Sequence, residues 1–275
     1  MTALDAGALL AAAAVAGALG GALGMAGGVF IVPLLTTVAH LPWPSAVAIS
    51  LVAVVASSCA ATPAFLTAGL PNLRLAVLLE VPTVGGAIAG VLLADRLPTR
   101  LLYGVFALVL LVSAVQLARG RRTAPVTAPD TKPNGWRLDG SVRDGDVSLP
   151  YRVSRVPVGL GAMFGAGLLS SMLGIGSGVL KIPAMDGALR LPIKVSSATA
   201  SLMIGVTAAG TAAAAVLQDG VDLSYAVPVV LGSVLGSTIG ARVLVRIPNG
   251  PLRVLFFLVL LGLAVPMIMN AVGAR

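Results

Sequence analysis

Charged side chains are scarce in this 275-residue sequence, at 10% of the residues against 57% that are hydrophobic. A soluble domain of this length needs far more charge to cover its surface, so the composition excludes a soluble protein. The mean hydropathy of +1.02 fits a chain that lies in lipid. Apolar runs long enough to cross about 30 Å of hydrocarbon recur along the chain, and residues 44–69 form one without any charge.

Cysteine and histidine are almost absent as well. The single Cys59 excludes an intramolecular disulfide, and with only His40 beside it no cluster of metal ligands can form. Ser177, in Gly-Ile-Gly-Ser-Gly, is the one nucleophile that suggests a hydrolase, but Ile175 occupies the position of the first glycine in a hydrolase motif. A partner base is also missing, because the one histidine, His40, belongs to the other half of the chain and lies near a segment end. No Walker-type phosphate-binding motif is present, which excludes ATP-driven pumping by this chain. We therefore predict no enzyme, no cofactor and no metal.

What the sequence does contain is long apolar segments bounded by basic residues. The segments do not alternate polar and apolar positions as β-barrel strands do, so helices are the remaining way to satisfy the backbone in lipid. The 18 basic residues lie at segment ends and in one polar stretch, where they indicate membrane orientation and not nucleic-acid binding. The beginning of the chain lacks a basic region, and we expect a mature segment there and not a cleaved signal. The prediction is an all-α polytopic protein of the plasma membrane, with the lipid bilayer as its surroundings.

The two halves of the chain resemble each other at an offset of 150 residues. Residues 24–33 align with 174–183, and the same offset relates 41–42 to 191–192 and 96–98 to 246–248. Such a match, kept in order over a long stretch, predicts a tandem duplication. The first transmembrane repeat would cover residues 1–118 and the second 156–275. Between them, residues 119–155 form a polar, basic linker outside the membrane.

Each half contains a helix broken by glycines, followed by three ordinary helices. The broken segments are 6–23 with 27–39 and 157–173 with 177–189; the other helices lie near 44–68, 74–94, 99–118, 194–217, 223–243 and 252–272.

The orientation of the repeats depends on the break. A single crossing makes them parallel, and a hairpin makes them inverted. The inverted arrangement gathers eleven basic residues on one side and leaves three opposite, namely Arg74, Arg119, Arg121, Arg122, Arg152, Arg155, Arg190, Lys194, Arg242, Arg246 and Arg253 against Arg96, Arg100 and Arg275. The positive-inside rule therefore favours inverted repeats with a cytoplasmic linker.

Glycine breaks at matching positions of inverted repeats predict a transport site at the middle of the membrane. Unwound backbone exposes N–H groups, and the helix that follows turns its positive dipole end toward the gap, so an anion is attracted. The glycines could instead only permit tight helix crossings. The predicted substrate-binding residues are Gly24, Gly27, Gly28, Gly174, Gly176, Ser177 and Gly178.

Two charged residues stand inside apolar segments, where a charge is costly and indicates function. Lys181 lies about one turn into the helix after Gly178 and could complete an anion pocket; snorkelling, or pairing with Asp186, is the alternative. Glu80 could carry a coupling proton, and an ion pair or snorkelling is the equal alternative.

Hydroxyl side chains form a polar stripe on the second helix of each half and could line a pathway. Such hydroxyls more often bond to backbone carbonyls, which is the structural alternative. The candidates are Ser50, Ser57, Thr199 and Ser201, with Ser58, Thr62, Ser196 and Ser197 beside them.

The repeated pattern Gly-x-x-Gly-Gly-x-x-x-x-Pro, followed by Leu-Pro and a helix rich in Ala, Ser and Thr, resembles the TauE/SafE sulfite exporter family. The resemblance implies export or permeation of a small sulfur-containing anion such as sulfite or an organosulfonate. With the two repeats, it predicts a secondary transporter that works by alternating access, and Glu80 makes protons a second candidate partner. An anion channel or a membrane scaffold would share this fold and remains the alternative. Nothing in the sequence indicates an oligomeric state.

Overall fold

The computed structural model describes residues 3–94, 138–144, 147–173, 177–219 and 221–247, and scattered positions within 104–115 and 251–273. In these residues the chain is helical apart from one β-hairpin. The helices predicted near 99–118 and 252–272 lie outside this part except for those positions. In chain order the elements are α1 Ala3–Leu23, α2 Gly28–Thr37, α3 Trp43–Thr67, α4 Leu73–Ala94, β1 Gly140–Asp144, β2 Val147–Tyr151, α5 Val156–Leu173, α6 Gly178–Ala188, α7 Ile193–Asp219 and α8 Leu223–Arg246.

Five of the described helices, α1, α3, α4, α7 and α8, are long and apolar enough to cross a membrane. Helix α5 is apolar but shorter, and α2 and α6 have 10 and 11 residues. At about 1.5 Å per residue, helices of that length reach only about halfway through the hydrocarbon. The prediction of a multi-pass α-helical membrane protein is confirmed.

The first glycine break is a hairpin. Gly24 has a φ of 73° and ends α1, and the Met25 N–H donates to the Gly20 carbonyl at 2.7 Å, the pattern of a glycine-capped helix end. Gly27, with a φ of 76°, then starts α2 in the opposite direction: a Cβ on Gly27 would lie 3.3 Å from the Cα of Gly17, well back along α1. Helix α2 therefore runs back along α1.

The second broken segment also folds back on itself. A Cβ on Gly159, near the start of α5, would lie 3.0 Å from Cγ of Leu189, just beyond the end of α6. The two short helices, α2 and α6, each end in a turn of the same type. His40 and Arg190 both have a positive φ, of 51° and 60°, and the next residue of each donates its N–H back to the carbonyl six residues earlier.

Glycines allow the backbones of α1 and α8, and those of α4 and α5, to lie in direct contact. A Cβ on Gly17 would lie 2.8 Å from the Cα of Ser233, and one on Gly21 would lie 2.6 Å from the Ser237 carbonyl oxygen. The residue numbers rise together on both helices, so α1 and α8 run parallel. Gly86 packs on Phe164 and Gly90 on Leu168 in the same way, which makes α4 parallel to α5.

The first helices of the two halves run in opposite directions. Helix α2 reverses the direction of α1, and the short connections to α3 and α4 reverse it twice more, so α4 and its parallel neighbour α5 are antiparallel to α1. Inverted repeats require this relation. The duplication itself stays a prediction from the sequence. These directions gather Arg74, Arg155, Arg190, Lys194 and Arg246 at one end of the bundle, with Asp5, Asp219 and Asp222 at the other.

The described part of the linker forms an antiparallel β-hairpin, which sequence analysis did not predict. Leu138 and Tyr151 are buried against the bundle, and the Asn72 side-chain amide donates to the Leu138 carbonyl at 2.8 Å and to the Tyr151 hydroxyl at 3.0 Å. Because Asn72 lies just before α4, the hairpin sits at the basic end of the bundle.

Two glycines of α5, one packed against α4 and one in open space, provide a test of the close packing between these helices. A Cβ on Gly167 would lie 2.9 Å from the Thr83 carbonyl carbon, whereas one on Gly165 would meet no atom within 4 Å. We predict that Gly167→Ala lowers the free energy of unfolding by about 1–3 kcal/mol through overpacking. Gly165→Ala should leave it unchanged or raise it by up to about 1 kcal/mol, since alanine favours the helix. Denaturant unfolding of the two purified variants in detergent measures both, and equal losses would contradict this packing.

Candidate functional site

The first glycine break meets the start of α6 in the interior of the bundle. A Cβ on Gly178, the first residue of α6, would lie 2.8 Å from the Cα of Met25, and one on Gly24 would lie 2.7 Å from Cβ of Ser197 on α7. Residues 20–29 are all buried, so the first break has no contact with the surroundings of the protein. Gly174 and Gly176 lie outside the described residues. The structure thus brings the first break to the start of α6 and to α7.

Three serines of α3 hold their neighbours by donating to backbone carbonyls. Ser50 donates to Gly28 at 3.2 Å, Ser57 to Ala26 at 2.7 Å and Ser58 to Ser201 at 2.5 Å. Ala26 lies between α1 and α2, where carbonyls lack helical partners, so the bond from Ser57 stabilises the unwound backbone. The bonds from Ser50 and Ser58 attach α3 to the first residue of α2 and to α7. Thr199 likewise has a partner, because its hydroxyl accepts the Asn72 N–H at 3.0 Å. For these hydroxyls, the structural alternative has direct support.

Other hydroxyls near the break are buried without a partner. Among the described residues, four buried side-chain oxygens make no hydrogen bond, and they belong to Ser177, Ser196, Ser197 and Ser201. An unsatisfied buried hydroxyl costs about 1–3 kcal/mol, so four of them in one region indicate a site that a polar ligand completes. Ser197 and Ser201 are one turn apart on α7 and share a face, and Ser177 directly precedes α6.

Lys181 is completely buried and binds a residue of the other half of the chain. Its Nζ lies 3.2 Å from Oε2 of Glu80 on α4 and 2.7 Å from the hydroxyl oxygen of Thr207 on α7. The Thr207 hydroxyl also contacts the second oxygen of Glu80, so the three side chains form a closed network. The Lys181 side chain is fully buried and does not snorkel to an interface, and the ion pair that it forms is with Glu80. For Glu80 the ion pair is present.

The ammonium lies close to the second break. Gly178 touches the side chain of Ile204 on α7, and Thr207 lies only three residues further along the same helix. Helical side chains lean toward the N-terminus of their own helix, so Lys181 extends from α6 back toward its first residue. The cation therefore occupies the region into which the N-terminus of α6 points its N–H groups.

Thr207 was missed by sequence reasoning. The offset of 150 could have identified it, because it relates Thr207 to Ser57, which was a candidate, while it relates Lys181 to Ile31 and Glu80 to Val230. The charged network therefore has no charged counterpart at the matching positions, which are Ile31 and Ser57 in the first half and Val230 in the second. If the halves are copies of one repeat, they differ in that only one of the two sets of matching positions carries the charged side chains.

Glu80 also lines an open cavity of about 520 Å³ between α4 and α7, where Val77, Val81 and Val206 are exposed on the outer surface of the bundle. Its side chain is 12% exposed, whereas that of Lys181 is 0% exposed. The other residues around the cavity are apolar, namely Ala76, Val77, Val81, Val84, Leu202, Met203 and Val206. The carboxylate therefore has free volume beside it, and the ammonium does not.

Comparison with known proteins identifies the family. The model of the sulfite exporter TauE/SafE family matches residues 9–267. This chain belongs to the TauE/SafE family. It is a membrane transporter by that membership, and the resemblance seen in the sequence is confirmed. The TauE/SafE chain is also 24% identical over 242 residues to the probable membrane transporter protein YunE of Bacillus subtilis strain 168, a match that covers 83% of this chain and 85% of that protein. No solved structure matches it significantly.

In this TauE/SafE member, the ion pair should make the stability of the fold sensitive to the loss of either Glu80 or Lys181. Glu80→Gln leaves a fully buried ammonium without its counter-ion and should lower the free energy of unfolding by about 3–5 kcal/mol. Lys181→Met should cost less, because the partly exposed Glu80 can take up a proton. The double variant Glu80→Gln/Lys181→Met should be more stable than the sum of the single losses implies, since it leaves no buried charge. Denaturant unfolding in detergent measures all three, and strictly additive losses would show that the pair does not form.

Proposed function

We propose that this TauE/SafE member is a secondary transporter that exports a small anion, either a sulfur oxyanion or an organosulfonate. The observation that carries the proposal is the fully buried Lys181 on α6, which lies one turn after Gly178 and the unpartnered hydroxyl of Ser177. A membrane protein bears the cost of a buried ammonium only where the charge is used or paired. The sulfur chemistry of the substrate comes from the family description.

The chemistry of the site suits an anion whose oxygens only accept hydrogen bonds. The unpartnered Ser177 hydroxyl can donate one bond at the start of α6. The hydroxyls of Ser201 and Ser197, about 9 Å and 15 Å along α7 from Thr207, can donate to the anion further along its path. The N-terminus of α6 adds backbone N–H groups and the positive end of a helix dipole. Lys181 supplies the full charge and forms charge-assisted bonds, which are stronger than neutral ones.

Alternating access is the mechanism that this arrangement favours. The site lies where the halves meet, because Gly24 packs on Ser197 and Glu80 binds Lys181 across them. Because the halves have opposite orientations, movement of one half relative to the other would open such a site to each side of the membrane in turn. By the positive-inside rule, the end that carries Arg74, Arg155, Arg190, Lys194 and Arg246, and with it the linker, faces the cytoplasm.

Transport is favoured over hydrolysis at the same place. The Ser177 hydroxyl makes no hydrogen bond in the described structure, so no base stands ready to activate it as a nucleophile. The proposed role of Ser177 is to bind the substrate, and the protein is proposed not to be an enzyme.

Flux measurements in proteoliposomes test the function. We predict saturable transport of at least one among sulfite, thiosulfate, sulfate and organosulfonates by the purified protein. Lys181→Met should lower this transport at least about tenfold, because it removes a charge-assisted interaction of about 1.5–3 kcal/mol.

A control and two contrary outcomes accompany this measurement. The Lys181→Met variant should still insert and elute as a single species on size exclusion. Normal kinetics in that variant would make the pocket assignment wrong. Flux that does not saturate would indicate a channel, and absence of any flux would indicate a scaffold.

Two serines separate a binding role from a structural one. Ser201→Ala removes a buried hydroxyl that has no partner, so it should not lower the free energy of unfolding, yet it should raise the substrate concentration needed for half-maximal transport. Ser57→Ala removes the donor to the Ala26 carbonyl and should lower the free energy of unfolding by about 1–3 kcal/mol. Unfolding and transport curves of both variants decide the matter. If Ser201→Ala transports like the wild type, this hydroxyl does not bind the substrate.

A further inference from the structure

Glu80 occupies one side of the only lysine that the described residues bury completely. Its carboxylate lies 3.2 Å from Nζ of Lys181, the distance at which an anionic substrate would also bind the ammonium. A substrate anion and the Glu80 carboxylate would therefore compete for the same cation. The ionised Glu80 resembles a tethered substrate that occupies the site when it is empty.

From this competition we infer that the transporter is an electroneutral symporter, in which each monovalent anion that displaces Glu80 from Lys181 brings one proton onto the Glu80 carboxylate. Export in this mode is driven by an outward gradient of the anion that exceeds any inward proton gradient. The inference rests on the proposed function and adds its energy coupling and the charge of its substrate.

Charge balance in the buried site is the physical reason for the coupling. In the empty site the positive Lys181 and the negative Glu80 sum to zero. With a monovalent anion bound and Glu80 protonated, the sum is again zero. An anion bound beside an ionised Glu80 would leave one uncompensated negative charge in a low-dielectric interior, which is costly.

The surroundings of Glu80 permit this exchange. The cavity of about 520 Å³ that Glu80 lines gives the neutral carboxyl group space to turn away from Lys181. Thr207 contacts both partners, and its hydroxyl can donate to an anion once Glu80 leaves.

The other titratable groups on the helices around Glu80 stand at the ends of those helices. Helix α5, which packs along α4, has no titratable side chain. Helix α7 has Lys194 and Asp219 near its two ends, α6 has Asp186 beyond Lys181, and α4 itself has Arg74 near its start. Lys181 is the cation in contact with Glu80, so the proton balance of the site depends mainly on this pair.

The coupling also sets a preference for substrate charge. A divalent anion such as sulfate would leave the loaded site with one negative charge even when Glu80 is protonated. We therefore expect methanesulfonate, which stays monovalent across the neutral pH range, to be transported in preference to sulfate.

The test measures methanesulfonate accumulation in proteoliposomes under an imposed pH gradient or an imposed membrane potential. For the wild type, the pH gradient should drive accumulation and the potential should not. At equilibrium, binding should tighten about tenfold for each unit by which the pH falls while Glu80 is ionised in the empty site, because the loaded state holds one more proton.

Glu80→Gln supplies the contrast and Glu80→Asp the control. With glutamine, the empty site carries one positive charge and the loaded site none, so the flux should follow the membrane potential and not the pH gradient. The affinity of this variant for the anion should not depend on pH. Glu80→Asp keeps the carboxylate and should keep the proton coupling.

The possible outcomes are distinct. Wild-type flux that follows the membrane potential, or Glu80→Gln flux that still follows the pH gradient, overturns the inference and leaves the proposed function intact. If the wild type accumulates none of the tested anions under any gradient, the proposed function itself fails. Should Glu80→Gln not fold, the response of the wild type to the two gradients decides alone.

Discussion

The ion pair between Lys181 and Glu80 is the interaction on which this account of the protein depends. An ammonium with no exposed surface is stable in such a place only because a carboxylate from the other half of the chain lies beside it. The pair therefore does two things at once, because it joins the halves and keeps a positive charge in the interior. In a transporter of anions, that charge is available to a substrate whenever the carboxylate is neutralised.

Close backbone contact allows such a pair to form. Small residues let α1 approach α8 and α4 approach α5 until side chains larger than hydrogen would overlap the neighbouring backbone. Glycine also ends α1 at Gly24 and turns the chain back into the protein, where Ser57 satisfies the freed Ala26 carbonyl and Ser50 holds the first residue of α2. The hydroxyls left over, of Ser177, Ser196, Ser197 and Ser201, are then the ones without a structural task. They lie in the half of the chain that also supplies Lys181.

Much of the fold could be predicted from the sequence because lipid imposes simple rules. Helix lengths, the breaks after Leu23 and Leu173 and the gathering of basic residues at one end all follow from hydropathy, glycine clusters and charge. The candidate site was predicted less completely. Lys181 and Glu80 were each identified as unusual, but 101 positions separate them, and neither periodicity nor composition indicates which buried charge meets which. The sequence also could not predict which serines form hydrogen bonds, since this depends on which backbone carbonyls lie next to them in the folded protein. The docked β-hairpin depends on Asn72 and Tyr151, which meet only after the bundle has formed.

An experimental structure with a heavy-atom analogue of the substrate tests the central claim most directly, and a selenium-containing oxyanion would be located by its anomalous scattering. We expect anion density within hydrogen-bond distance of Nζ of Lys181 and near Ser177 or Ser201, with the Glu80 carboxyl turned toward the cavity between α4 and α7. An anion bound elsewhere in the protein, with the Lys181–Glu80 pair intact, would contradict it.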